Sequence, residues 1–113
     1  MQDSQWSVAP GGLGVEARKV ADAVCEIDGV AGLYGGVFGE IATYLPGSRI
    51  NGVSLSDARG EVHIVAAAGS DLLAVGARAR DIAESITGKP ISVTIDDIAA
   101  SGGAAAAERG VRS

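Results

Sequence analysis

The segment from residue 61 to residue 98 constrains the fold of this chain more than any other, because two strand patterns enclose a helix pattern. Residues 61–67 form a run of strand length that ends in small side chains, and residues 91–98 alternate apolar with polar side chains. Between them, residues 71–86 repeat apolar side chains every three or four positions. This order predicts a crossover unit, in which the two strands are parallel neighbours.

The rest of the chain predicts one more helix and several strands. Residues 15–27 carry apolar side chains at helical spacing. Strand patterns occur at residues 30–34, 40–45 and 52–57, and residues 57–60 predict a hairpin turn into the strand at 61–67. Because each helix has a single apolar stripe, we expect both helices on one face of a mixed, mostly antiparallel sheet.

A length of 113 residues fits one domain with a core of its own. We therefore expect an α+β fold, a single two-layer domain over residues 14–98. The polar and glycine-containing residues 1–13 predict a flexible lead, and the alanine-rich residues 99–113 predict a disordered tail. Trp6 in the lead has two interpretations: it packs back on the domain, or it contacts a partner.

Charge and cysteine content exclude several classes of function. A net charge of −5 opposes binding to nucleic-acid backbones, which depends on Lys and Arg. Cys25 is the only cysteine, so an intramolecular disulfide cannot form. The first residues lack the pattern of a signal peptide, and no apolar run approaches the ~20 residues that span a bilayer. These features predict a cytoplasmic protein without direct membrane insertion.

No group of residues has the chemistry of an active site. His63 is the single histidine and cannot form a metal site alone. On strand alternation it shares the face of Glu61 at the surface of the sheet, whereas Asp96 and Asp97 are expected to point to opposite faces. Cys25 has no activating neighbour in sequence and is interpreted as a structural thiol. We therefore predict no catalytic residue, no metal, no cofactor and no enzymatic activity.

A glycine cluster, Gly32-x-x-Gly35-Gly36-x-x-Gly39, is the remaining candidate for a site. It lacks the Lys-Ser or Lys-Thr of a P-loop, and a strand pattern follows it where a dinucleotide site needs a helix. One interpretation is that these glycines only shape a loop. The alternative is a small-ligand or single-stranded nucleic-acid site at residues 32–39. Aromatic side chains often anchor protein interfaces, and the candidate contact residues are Tyr34, Phe38 and Tyr44.

Several phrases together resemble the alkaline shock protein family of Gram-positive envelope stress response proteins, particularly its short actinobacterial members. They are GVAGLYGG from Gly29, GEIATYLPG from Gly39, INGVSLSD from Ile50, EVHIVAAAG from Glu61 and ITGKPISVTIDDI from Ile86. The family pattern places a GV-x-G-L turn after a helix, then a Gly-Val strand, and ends a long helix with Thr-Gly before a last strand of alternating Val and Ile. The resemblance spans about residues 15–98.

The resemblance implies a non-enzymatic cytoplasmic protein of envelope stress response that acts as an interaction or scaffolding module. It also implies a protein partner, which in some members is an integral-membrane anchor that holds the protein at the inner face of the membrane. Self-association into a homo-oligomer is implied as well. The family has no established active-site motif, so the resemblance assigns no catalytic or binding residue.

Overall fold

Residues 11–99 are described by the structure, a computed structural model, and they form two helices and six strands. In chain order these are α1 (Gly11–Cys25), β1 (Val30–Leu33), β2 (Ala42–Leu45), β3 (Ser48–Asn51), β4 (Val53–Leu55), β5 (Gly60–Ala67), α2 (Leu72–Thr87) and β6 (Ile91–Ala99). This arrangement confirms the predicted α+β fold. Trp6, residues 1–10 and residues 100–113 lie outside the described part of the chain.

The crossover unit forms as predicted, with β5 and β6 parallel and α2 between them. Asp71 caps α2, because its carboxylate accepts a 3.1 Å hydrogen bond from the Ala74 amide. At the other end Gly88 adopts a left-handed conformation, and its N–H donates to the Glu84 carbonyl. A side-chain cap of this type stabilises a helix by about 1 kcal/mol.

β5 is the central strand of the main sheet. β6 pairs along one edge of β5, and β1 and β4 lie end to end, both antiparallel, along the other. At their junction the His63 N–H donates to the Gly52 carbonyl, and the Tyr34 N–H donates to the His63 carbonyl. Gly52 has φ 84°, and a Cβ there would lie 2.6 Å from the Cβ of Leu33, so only glycine fits.

The core lies between one face of β5 and the two helices. Val62, Ile64 and Ala66 alternate along β5 and are fully buried. They face a stripe of mostly small side chains from both helices: Ala17, Val20, Ala21, Val24, Ala79 and Ala83. Burying a side chain the size of valine or isoleucine contributes about 1.5–3 kcal/mol. Both helices therefore pack on one face of the sheet, as the single apolar stripe of each predicts.

A second sheet, formed by β2 and β3 alone, is the main departure from the predicted organisation. Its strands pair from Ala42↔Asn51 to Leu45↔Ser48 across a turn at residues 46–47. The hairpin is joined to β4 by Thr43, whose buried hydroxyl donates to the Val53 carbonyl (2.7 Å) and accepts from the Leu55 amide (3.1 Å).

Helix α1 begins at Gly11, four residues before the predicted start, and ends at Cys25 rather than residue 27. Glycine weakens a helix, so the glycines at its start predicted a loop. The structure supplies a reason for Gly14: a Cβ there would collide with the side chain of Leu45 on the hairpin. Close packing between α1 and the β2–β3 hairpin thus outweighs the low helix propensity of this glycine.

Candidate protein-contact site

The glycine-rich loop between β1 and β2 folds into a compact turn. The Ile41 N–H donates to the Gly35 carbonyl (2.9 Å), and the Gly39 N–H donates to the Gly36 carbonyl (3.3 Å). These two bonds bring the ends of the loop together and leave Val37 and Phe38 at its tip. The loop therefore has a defined shape, set by its own backbone.

Glu40 packs its carboxylate into this loop. Its Oε1 accepts a 2.9 Å hydrogen bond from the Phe38 amide. Gly36 has φ 91°, and a Cβ there would lie 2.5 Å from the carboxylate carbon of Glu40. The space that the glycines leave is thus taken by a negative charge from the same loop, which opposes the binding of a phosphate there.

Val37 and Phe38 are among the most exposed apolar side chains in the described part of the chain. Phe38 is 90% exposed and Val37 is 75% exposed. An aromatic side chain that a partner buries from this state contributes about 1.5–3 kcal/mol. Phe38 was one of the predicted contact residues, whereas Val37 was not.

Tyr44 and Arg49 extend this surface onto the β2–β3 hairpin. They are directly opposite each other in the register and lie on the hairpin face that is exposed to solvent, with Tyr44 50% exposed. The Arg49 guanidinium reaches the loop, since a Cβ at Gly39 would lie 2.9 Å from its nearest Nη. We call Val37, Phe38, Tyr44 and Arg49 the loop–hairpin surface.

Tyr34, the third predicted contact residue, lies on the main sheet. Its N–H donates a hydrogen bond to the His63 carbonyl, which continues the pairing of β1 with β5, and Tyr34 is half-buried. The structure thus links the loop that carries Phe38 to the hairpin face that carries Tyr44, through Arg49, and places Tyr34 at the start of the loop. Val37 and Arg49 were missed; recognising the hairpin would have placed Arg49 opposite Tyr44.

His63 lies on the outer face of the sheet, as alternation predicts, and carries two carboxylate partners. Its Nδ1 is 2.7 Å from Asp96 Oδ2, and its Nε2 is 3.0 Å from Glu61 Oε1. Partial burial lowers the pKa of His63, but the hydrogen bonds and negative charges of Glu61 and Asp96 outweigh this effect and raise the pKa above its usual value. The group stabilises a protonated imidazole on the sheet surface.

The expectation that Asp96 and Asp97 point to opposite faces is wrong, because β6 contains a β-bulge at this point. Ile95 pairs with Ile64, yet Asp97 pairs with Val65, so Asp96 is the extra residue. Asp97 shares the outer face with Val65, and the Asp96 carboxylate reaches His63 on that same face. The bulge also returns Ile98, opposite Ala66, to the inner face.

Cys25 is the last residue of α1 and is exposed to solvent. Partial burial of the thiol raises the pKa of Cys25, and the Asp22 charge raises it further. A thiol with a raised pKa carries little thiolate at neutral pH and is a weak nucleophile. Across residues 11–99, the side chains of His, Cys, Asp and Glu form no group of three or more suited to a metal ion.

Neither α1 nor α2 is long and apolar enough to cross a membrane. In comparisons with protein-family models, with curated proteins and with solved structures, nothing matches this chain. The resemblance to the alkaline shock protein family therefore stays a prediction from the sequence phrases.

Proposed function

We propose that this chain is a non-enzymatic protein-interaction module and that the loop–hairpin surface contacts its partner. The observation that carries the proposal is Phe38, which is 90% exposed beside Val37 at the tip of a turn closed by backbone hydrogen bonds. Exposed neighbouring apolar side chains on a defined loop are typical of interaction sites.

The construction of the loop favours binding. A loop already held in one shape loses little conformational freedom when a partner covers it, so more of the contact energy appears as affinity. Aromatic and arginine side chains are enriched at interfaces. Phe38 supplies the central apolar anchor in this proposal, and Tyr44 and Arg49 supply the surrounding polar contacts.

The biological setting of the proposal rests on the family resemblance. It places the module in the cytoplasm, in the envelope stress response, with a membrane-anchored protein as the partner that holds it at the inner face of the membrane. In this proposal the partner supplies the membrane attachment, and the loop–hairpin surface supplies the contact.

The alternative function, a small-ligand or single-stranded nucleic-acid site in the loop at residues 32–39, is less well supported. The Glu40 carboxylate already accepts the Phe38 amide, the type of loop donor that a phosphate would need. The net charge of −5 acts in the same direction. Titration with nucleotides and short RNA at low salt is expected to show no binding, and saturable binding that Glu40→Ala strengthens would favour the alternative.

The direct test is affinity capture of the tagged protein from membrane and soluble fractions, with Phe38→Asp compared to Val15→Asp. Val15 is a matched control, since it is another apolar residue that is 55% exposed but lies on α1. We expect wild type and Val15→Asp to retain one dominant partner that Phe38→Asp loses. An identical set of captured proteins for all three, with the variants folded, would show that the loop–hairpin surface is not the contact.

A further inference from the structure

Strand β6 has a free edge within the described residues, because β5 is its one strand partner there. The Pro90 carbonyl accepts a bond from the Gly60 amide of β5. Since backbone groups alternate in direction along a strand, the N–H and C=O groups of Val93 and Ile95 point away from β5. The Ile91 amide points the same way and donates to Glu84 Oε2 (3.0 Å). Two amides and three carbonyls of β6 are thus offered to another strand.

An open groove runs beside this edge, between α2 and the inner face of β6, and it is lined by apolar residues together with Arg80 and Ser92. Its volume is about 580 Å³. Gly76 and Ala77 leave space on the helix side of the groove because their side chains are small or absent. Even a Cβ at Gly76 would lie 4.0 Å from Ile95 Cδ1. Leu73 stands at the rim of the groove with 88% of its side chain exposed. An apolar side chain thus projects beside a groove with the volume to receive one.

The part of β6 that can pair regularly is short and defined at both ends. Pro90 has no N–H to donate, and the bulge at Asp96 interrupts the alternation. The segment between them is Ile91-Ser92-Val93-Thr94-Ile95. Read in either direction about Val93, it presents isoleucine, a hydroxyl residue, valine, a hydroxyl residue and isoleucine. A sequence of this kind is complementary to an antiparallel copy of itself.

We propose that a second copy of this chain pairs antiparallel with β6 about a two-fold axis at Val93. Val93 then lies opposite Val93 of the second copy, and Ile91 lies opposite its Ile95, with the apolar side chains on the inner face. The two Val93 residues exchange N–H···O=C bonds, and each Ile95 amide donates to the Ile91 carbonyl across the interface. The inference does not depend on the loop–hairpin surface.

Charge disfavours registers centred at the aspartates of β6. With the axis at Val93, no carboxylate of β6 lies opposite another, because Asp97 lies opposite Lys89 of the second copy. The Lys89 ammonium contacts Glu16 and the Ser56 carbonyl of its own chain, so it is not counted as an attraction across the interface. Moving the axis to Asp96, or between Asp96 and Asp97, would place carboxylates opposite one another across the interface, which destabilises a strand pair. The outer face of the proposed segment instead pairs the Ser92 and Thr94 hydroxyls.

The helices complete the interface. Because α2 runs back along β6, the Leu73 end of one groove meets the Arg80 end of the other across the two-fold axis. The exposed Leu73 side chain then lies at a groove rim that the second copy covers. A two-fold contact uses the free edge of both strands at once, so the assembly closes as a dimer and does not extend into a fibre.

Sedimentation equilibrium of the full chain from about 1 to 500 µM tests this proposal. Wild type is expected to form a concentration-dependent dimer. Val93→Pro removes an amide that faces the free edge and leaves the pairing with β5 intact, a position where edge strands tolerate proline. Val93→Ala is the matched control, because it shortens the same side chain but keeps the amide. We expect the dissociation constant to rise at least thirtyfold for Val93→Pro and less than fivefold for Val93→Ala, on the order of 2 and 1 kcal/mol.

Leu73→Asp provides a second variant if Val93→Pro does not fold, because its side chain is already 88% exposed. We expect it to weaken the dimer at least tenfold, about 1.4 kcal/mol. A wild type that stays monomeric up to about 500 µM overturns the proposal and leaves the edge to an extended segment of another protein. A dimer that neither folded variant weakens overturns it as well.

Discussion

The loop–hairpin surface and the β6 edge both expose large apolar side chains, but they offer different things to a partner. The loop–hairpin surface presents side chains on a turn that is closed by hydrogen bonds within the loop. The β6 edge presents backbone N–H and C=O groups beside a groove. The first can anchor in a pocket of any fold that fits it, whereas the second needs another strand. The difference suggests that one small domain can hold two partners at once.

The largest expected effect comes from measuring both contacts, partner capture and dimer formation, on one variant of each surface. Phe38→Asp should abolish partner capture and leave the dimer of the second proposal unchanged, while Leu73→Asp should weaken the dimer and leave partner capture unchanged. The physical reason is that each substitution places a charge in a contact that must lose water. Capture and sedimentation equilibrium on both variants measure this. If either variant affected both contacts, the two surfaces would not be independent.

Thr43 tests whether the loop–hairpin surface depends on its attachment to β4. Thr43→Val keeps the shape of the side chain but removes a hydroxyl that makes two hydrogen bonds, with the Val53 carbonyl and the Leu55 amide. Leaving these groups unpaired should lower the free energy of unfolding by about 1–3 kcal/mol, measured by urea denaturation. Thr43→Ser keeps the hydroxyl and should cost less. Equal stability of Thr43→Val and wild type would mean that the hairpin does not need this link.

Gly36 tests the shape of the loop itself. Gly36→Ala places a Cβ at φ 91° and against the Glu40 carboxylate, and it should destabilise the fold by about 1–2 kcal/mol and weaken partner capture. Adding Glu40→Ala removes the collision but keeps the backbone strain, so stability should return only in part. Full recovery in the double variant would show that the left-handed conformation matters little.

The smallest effect concerns His63, on the outer face of the sheet. Its pKa is raised in the folded state, so the stability it contributes is fully present below its unfolded pKa and declines as the pH rises through the folded pKa. We expect the free energy of unfolding of wild type to fall from about pH 6 to 8 relative to His63→Gln. An NMR titration of the imidazole gives the pKa directly. A pKa below that of a model histidine would contradict the assignment of Asp96 and Glu61 as its stabilising partners.

Local periodicity is strong enough to predict the crossover unit and the core stripe, because β5, α2 and β6 each repeat their apolar residues at one spacing. The sequence patterns do not predict the hairpin, because the Pro-Gly pair at residues 46–47 is as typical of a strand end as of the two-residue turn into β3 that it forms. The bulge at Asp96 depends on the register between β6 and β5. No local pattern encodes that long-range pairing.

The candidate site also has one part that the sequence predicts and another that it does not. Phe38 can be predicted as exposed, since glycines flank it and no apolar periodicity includes it. Its link to Tyr44 through Arg49 could not be predicted, because it requires the hairpin register and the close approach of Arg49 to Gly39. The sequence also does not predict that the Glu40 carboxylate packs inside the loop. Its negative charge is the feature that argues against an anion site among the glycines.

Photo-crosslinking in living cells, with a benzophenone amino acid placed at Phe38 and, as the control, at Val15, would show which protein touches the loop–hairpin surface. We expect position 38 to crosslink to one dominant protein, recovered with the membrane fraction, and position 15 not to do so. Crosslinks of the same pattern at both positions, or none at position 38 from a folded protein, would contradict the claim that the loop–hairpin surface is where this protein meets its partner.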